Sequence, residues 1–156
     1  MTPAINLVKK HRLAYKVHDY QHDPLASSYG LEAAEKLNLN PAMVFKTLVV
    51  QTDAKQLAVA MIPVDQQLNF KKMAKALGCK KVQMADSALV ERTTGYILGG
   101  VSPLGQKKRL TTVINITAQS QSALFFSAGR RGLELEMAAN DVQQLLSATF
   151  ADITND

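Results

Sequence analysis

The chain has one cysteine and no tryptophan among its 156 residues. A lone thiol closes no internal disulfide, which excludes a disulfide scaffold and suits a reducing compartment. No apolar run approaches the roughly 18–20 residues that a membrane span needs. The N-terminal stretch from Met1 to Leu13 mixes charges into a short apolar pattern and lacks the continuous apolar segment of a secretory signal. A soluble, cytoplasmic protein is expected, with no membrane partner. Repeats, linkers and low-complexity segments are absent, as are GxGxxG and GxSxG. What remains is an ordinary globular balance, 47% hydrophobic and 20% charged. The length suits a single domain spanning residues 1–156 that buries its own core.

Charge of one sign is missing locally. Residues 66–131 carry 11 basic and 2 acidic side chains, whereas residues 132–156 carry 5 acidic and none basic. The middle segment clusters Lys71, Lys72 and Lys75, then Lys80 and Lys81, then Lys107, Lys108 and Arg109, then Arg130 and Arg131. Such a field attracts polyanions; a solvated surface that aids solubility is the other reading.

Periodicity predicts a helix capped by Thr2 with Pro3 at its first position. A short strand is expected over Tyr15–Asp19, a loop over Gln21–Ser28 and a helix over Leu31–Leu37. Val44–Gln51 and Gln56–Ile62 form the clearest hairpin. Asn69 caps a helix with Phe70, Met73, Ala74 and Leu77 on one face, and Gly78 ends it. A strand at Val82–Met84 and a helix capped by Asp86 follow. Three strands (Thr111–Asn115, Ala123–Ser127 and Leu133–Met137), a helix from Asn140 or Asp141 and a closing strand at Phe150–Ile153 complete the pattern. Helices and strands do not alternate regularly. The expected class is therefore α+β, with a mixed, curved, barrel-like sheet surrounded by helices.

Lys46 is the most informative residue. It lies in the run Val44–Val50, where neither strand face is clearly polar. A buried ammonium there requires a partner, a lowered pKa or an anionic ligand; the alternative is a lysine that snorkels to water. The segment Gly99-Gly100-Val101-Ser102-Pro103-Leu104-Gly105 can bring backbone N–H groups close to a phosphate or an oxyanion, or can be simply a turn. It is not a Walker loop, because Gln106 and Lys107 occupy the positions of its lysine and hydroxyl. The turn Gly129-Arg130-Arg131-Gly132 can clamp phosphates or merely face solvent. His18 and His22 have zinc spacing only on a helix, which Pro24 opposes, so no metal is expected. Cys79 lacks a nearby base and is read as structural. No cofactor is called for.

Taken together, Phe45-Lys46-Thr47-Leu48-Val49, Gly95-Tyr96, the Gly99–Gly105 run and Gly129-Arg130-Arg131-Gly132-Leu133 resemble the YbaK/EbsC family of trans-editing aminoacyl-tRNA deacylases, relatives of the editing domain of prolyl-tRNA synthetase. The resemblance implies removal of cysteine from Cys-tRNA(Pro), and also from Cys-tRNA(Cys), with the substrate thiol attacking its own ester. It implies that Lys46, Gly100, Val101 and Ser102 carry catalysis and that Tyr20, Tyr29, Gly99 and Glu134 bind substrate. The tRNA would be held by Lys71, Lys72, Lys107, Lys108, Arg109, Arg130 and Arg131. Mischarged tRNA(Pro) is the implied partner, with prolyl-tRNA synthetase supplying tRNA identity. The competing reading is a non-catalytic module that escorts mischarged tRNA.

Overall fold

Thr2 opens the first helix by accepting the Ile5 N–H at 3.2 Å, with Pro3 where a missing N–H costs nothing. In the computed structural model, which describes residues 1–156, this is α1 (Pro3–Lys10). It is followed by β1 (Lys16–Asp19), α2 (Tyr29–Lys36), β2 (Phe45–Thr52), β3 (Leu57–Pro63), α3 (Phe70–Leu77) and β4 (Val82–Met84). Then come α4 (Ser87–Thr94), β5 (Thr111–Asn115), β6 (Leu124–Arg130), β7 (Leu133–Met137), α5 (Ala139–Leu146) and β8 (Thr149–Ala151). The α3 caps match their residues: Asn69 accepts the Lys72 N–H at 2.9 Å, and Gly78 adopts φ +74°. The last helix begins at Ala139, ahead of Asn140, and its N-cap Ala138 offers no side-chain acceptor. The final strand stops before Ile153, whose N–H donates to the Asn115 side chain instead.

The class is α+β with mixed strand pairing, as expected. The sheet does not close into a barrel; it divides into β1-β7-β6 and β4-β2-β3-β5-β8. Strand β2 explains the division. One edge pairs antiparallel with β3 along its length, Lys46 opposite Ile62. Along the other edge, β4 covers only Val50–Thr52, and Phe125 of β6 forms one bridge to Val44, the residue just ahead of β2. No strand pairs with Phe45–Leu48 on that side.

Both faces of the larger sheet are buried. One carries the main core, where Phe45, Val49 and Met61 meet Phe126, Leu135 and Met137 of the smaller sheet. The opposite face packs Val50, Ala60 and Ile62 under Met73 and Ala74 of α3. A third cluster joins Ala33 and Ala34 of α2 to Val44, Val64 and Phe125 at the junction of the sheets. The missing polar face of the Val44–Val50 run therefore has a tertiary cause: apolar layers cover the strand on both sides.

Candidate active site

The unpaired edge of β2 borders a cavity of about 290 Å³ at the junction of the two sheets. Phe45, Lys46, Thr47 and Leu48 all line it. Consecutive residues of a strand point to opposite faces, so all four share one cavity only because it lies against the strand's edge. Tyr29 and Gly30 of α2 line it as well, and Gly99, beside Leu98 and Val101, packs against the Tyr29 ring. Ser127, Arg130, Arg131 and Glu134 come from the β6–β7 hairpin.

Lys46 is half-buried and forms no ion pair within the chain. Burial lowers its pKa from the usual lysine value, and the charge of Asp65 partly offsets this. Glu134 is buried, and burial pushes its carboxyl up to about 8. Tyr20 is pushed up to about 12, first by burial and then by the charges of Glu134 and Glu32, so it stays a phenol. Two buried side-chain oxygens have no hydrogen-bond partner in the molecule, Thr47 Oγ1 and Glu134 Oε2. Both belong to residues that line this cavity. Buried polar atoms are nearly always paired, so two orphans at one cavity mark a place built for a polar guest.

The wall formed by Gly99 is set by close approach. Gly99 has φ +88°, and a Cβ there would lie 2.6 Å from both Arg131 Nε and Tyr29 Cε2. A Cβ on Gly100 would lie 2.8 Å from the Arg130 backbone. The Arg131 guanidinium stacks on Tyr29, 4.2 Å from the ring centroid, and donates to the Leu98 carbonyl at 2.9 Å. The N–H groups of Gly99 and Val101 donate to no other backbone group.

Of the expected site residues, Lys46, Val101, Tyr20, Tyr29, Gly99, Glu134, Arg130 and Arg131 line the cavity. Gly100 and Ser102 do not. The Gly100 N–H is taken by the Ile97 carbonyl at 2.9 Å, and the buried Ser102 hydroxyl accepts the Leu104 N–H at 3.3 Å. Both groups serve the bend itself. Lys72 is tied to Asp152 at 3.0 Å, to Asp156 at 2.8 Å and to the Thr154 carbonyl. Arg109 donates to the Ser147 hydroxyl and the Leu145 carbonyl. The acidic C-terminal segment thus folds back and neutralises one of the cations that sequence reading gave to tRNA. Lys71, Lys107 and Lys108 stay exposed, away from the cavity lining.

Thr47 lines the cavity too, although sequence reading gave it no role beyond its place in the Phe45–Val49 motif. Glu32 was missed as well. Burial alone would raise its pKa, but His22 Nδ1 at 2.7 Å, the Asp23 N–H and Lys36 outweigh this and lower it. The pair pins the loop before Tyr29, whose ring centroid lies 5.5 Å from that of His22. His18 instead meets Glu136 at 2.8 Å.

A model of the aminoacyl-tRNA editing domain matches residues 23–145. A protein of Enterococcus faecalis, provisionally named the Cys-tRNA(Pro)/Cys-tRNA(Cys) deacylase EbsC, is 40% identical over 98% of this chain and 93% of its own length. A proline–tRNA ligase of Geobacter metallireducens is 30% identical over 80% of this chain, and the match spans 21% of the ligase. Among solved structures, one described as a hypothetical protein has a TM-score of 0.88 and 25% identity, covering 99% of this chain and all of that one. Another, provisionally described as a trans-editing enzyme for prolyl tRNA synthetase, has a TM-score of 0.82 across this whole chain and 99% of its own. Its 18% identity speaks for the fold alone.

Proposed function

The chain belongs to the aminoacyl-tRNA editing domain family, and from that premise we propose that it is a trans-acting deacylase that frees mischarged tRNA(Pro) of cysteine. Cys-tRNA(Cys) is a second substrate. One observation carries the reading: a half-buried cation without a partner and two orphaned oxygens share a cavity with unpaired N–H groups.

The roles follow from the chemistry of each group. The Lys46 ammonium meets the terminal nucleotide's phosphate or the aminoacyl ester. The α-ammonium of the amino acid satisfies Glu134 Oε2, and its charge draws the Glu134 carboxyl back toward ionisation. Thr47 Oγ1 takes a ribose hydroxyl or the ester oxygen. The Gly99 and Val101 N–H groups face the carbonyl oxygen as it gains negative charge, where such donors are worth roughly 10²–10³ each in rate.

No histidine or cysteine lines the cavity to serve as base or nucleophile. The cysteinyl substrate carries its own. Its sulfur attacks the ester carbonyl, the C–S bond forms as the C–O bond to the ribose breaks, and the thiol proton passes to the departing ribose oxygen. The protein's part is positioning and oxyanion stabilisation.

The test is turnover of Cys-tRNA(Pro) by the wild type and by Lys46→Ala. The variant should lose roughly 100-fold or more in rate while keeping its circular dichroism spectrum, since Lys46 makes no ion pair within the fold. A wild type that binds without turnover is an escort module instead. A thiolactone trap that captures no cyclic product assigns the attack to water.

A further inference from the structure

A strip of surface runs outward from the cavity mouth. It begins at Arg130 and Arg131, which line the cavity together with Leu98. Gly99 and Gly100 press directly on these arginines, so the segment Gly95–Gly100 lies beside the β6–β7 turn without a gap. At its far end the stem of Lys107 crosses Gly95: a Cβ there would lie 2.8 Å from Lys107 Cγ. The Lys107 and Lys108 N–H groups hold this place by donating to the Thr94 and Thr93 carbonyls at 3.0 and 3.2 Å. Between the two pairs of cations stand Ile97, 74% exposed, and Leu98, 47% exposed. Glu91 of α4 accepts the Leu98 N–H at 3.0 Å.

We propose that this strip seats the unpaired 3′ nucleotides of the tRNA, with phosphates on Arg130, Arg131, Lys107 and Lys108 and base faces on Ile97 and Leu98. The inference rests on the deacylase reading, because the cavity then fixes where the terminal nucleotide sits. Charge complementarity selects a polyanion, and continuity with the cavity selects the part of it that follows the esterified end. The exposed aliphatic pair decides between single strand and duplex. A duplex flank presents phosphates and sugars and offers isoleucine nothing to pack against, whereas unpaired bases expose apolar faces. Lys72 is held by two carboxylates, Asp152 and Asp156, and so has no charge to spare for a phosphate. Unpaired 3′ nucleotides carry little tRNA identity, so a site of this kind is indifferent to the body of the tRNA.

Two variants, Ile97→Ser and the pair Lys107→Ala with Lys108→Ala, test this on Cys-tRNA(Pro) and on cysteinyl-adenosine. Each should raise KM for the tRNA about five- to tenfold, leave kcat unchanged and leave cleavage of the nucleoside ester untouched. The double lysine variant should also flatten the log KM against log salt slope by about 1.4, or roughly 0.7 per phosphate contact. Ile97→Ser should leave that slope alone. Wild-type KM for the tRNA in both variants, or equal losses on both substrates, would overturn the strip. A wild type that cleaves neither substrate refutes the deacylase reading separately. The strip is then decided by wild-type binding of hairpin RNA with and without an unpaired 3′ tail. Tail-dependent binding supports it, and equal binding of the two hairpins refutes it.

Discussion

Glu134→Gln isolates the cost of placing a carboxylate in the cavity. Burial holds this carboxyl near 8 against an ordinary 4.5. Between those values the native protein keeps a proton that the unfolded chain has released, so stability falls as pH rises through the interval. Below about pH 4.5 both states are protonated and there is no penalty; above about 8 the penalty is complete. At about 1.4 kcal/mol for each tenfold, the ceiling is about 5 kcal/mol. Water entering the cavity lowers this, and a working range is about 2–5 kcal/mol. The glutamine side chain would keep the shape and an unpaired polar end but could not ionise. The variant should match the wild type in urea melts near pH 4 and exceed it by that amount near pH 8.5, with equal m-values. Every other titrating group is common to both proteins and drops out of the difference. Parallel pH profiles for the two would show that Glu134 is not desolvated, and the case for a cavity built around it would fail.

Other perturbations probe the Gly99 wall and the surface. Gly99→Ala places a methyl group at a left-handed φ and within 2.6 Å of Arg131 and Tyr29. It should cost about 1–3 kcal/mol in denaturant melts and raise KM by unseating the stacked pair, and a neutral outcome would mean that the wall is not rigid. Lys72→Ala should leave deacylation of Cys-tRNA(Pro) at wild-type kcat/KM, because its ammonium is committed to Asp152 and Asp156. A rise in KM there would return Lys72 to the tRNA surface.

Much of the local structure was legible because its signals are local. Thr2-Pro3, Asn69 with Gly78, and Asp86 fix helix ends through single hydrogen bonds or a single φ. The Val44–Ile62 hairpin was legible from composition alone. The helix start at Ala139 was not, since Ala138 carries no capping group to announce it. Barrel closure was not legible either. It depends on what pairs with the far edge of β2, where β4 covers only one end and β6 bridges only Val44, just ahead of the other.

The site divides in the same way. Residue types and local order determined that neither face of the strand holding Lys46 was clearly polar, that the glycine run could approach another chain segment closely, and that the middle of the chain is basic. Those properties belong to short stretches, and no fold is needed to state them. Tertiary structure decided which of them meet. It brought Lys46, Gly99, Val101 and Glu134 to one cavity and left Thr47 and Glu134 without partners there. It turned Gly100 and Ser102 inward to hold the bend, and it committed Lys72 to the acidic C-terminus. Whether a charge is free or paired depends on segments distant along the chain, and only the packed molecule sets those distances.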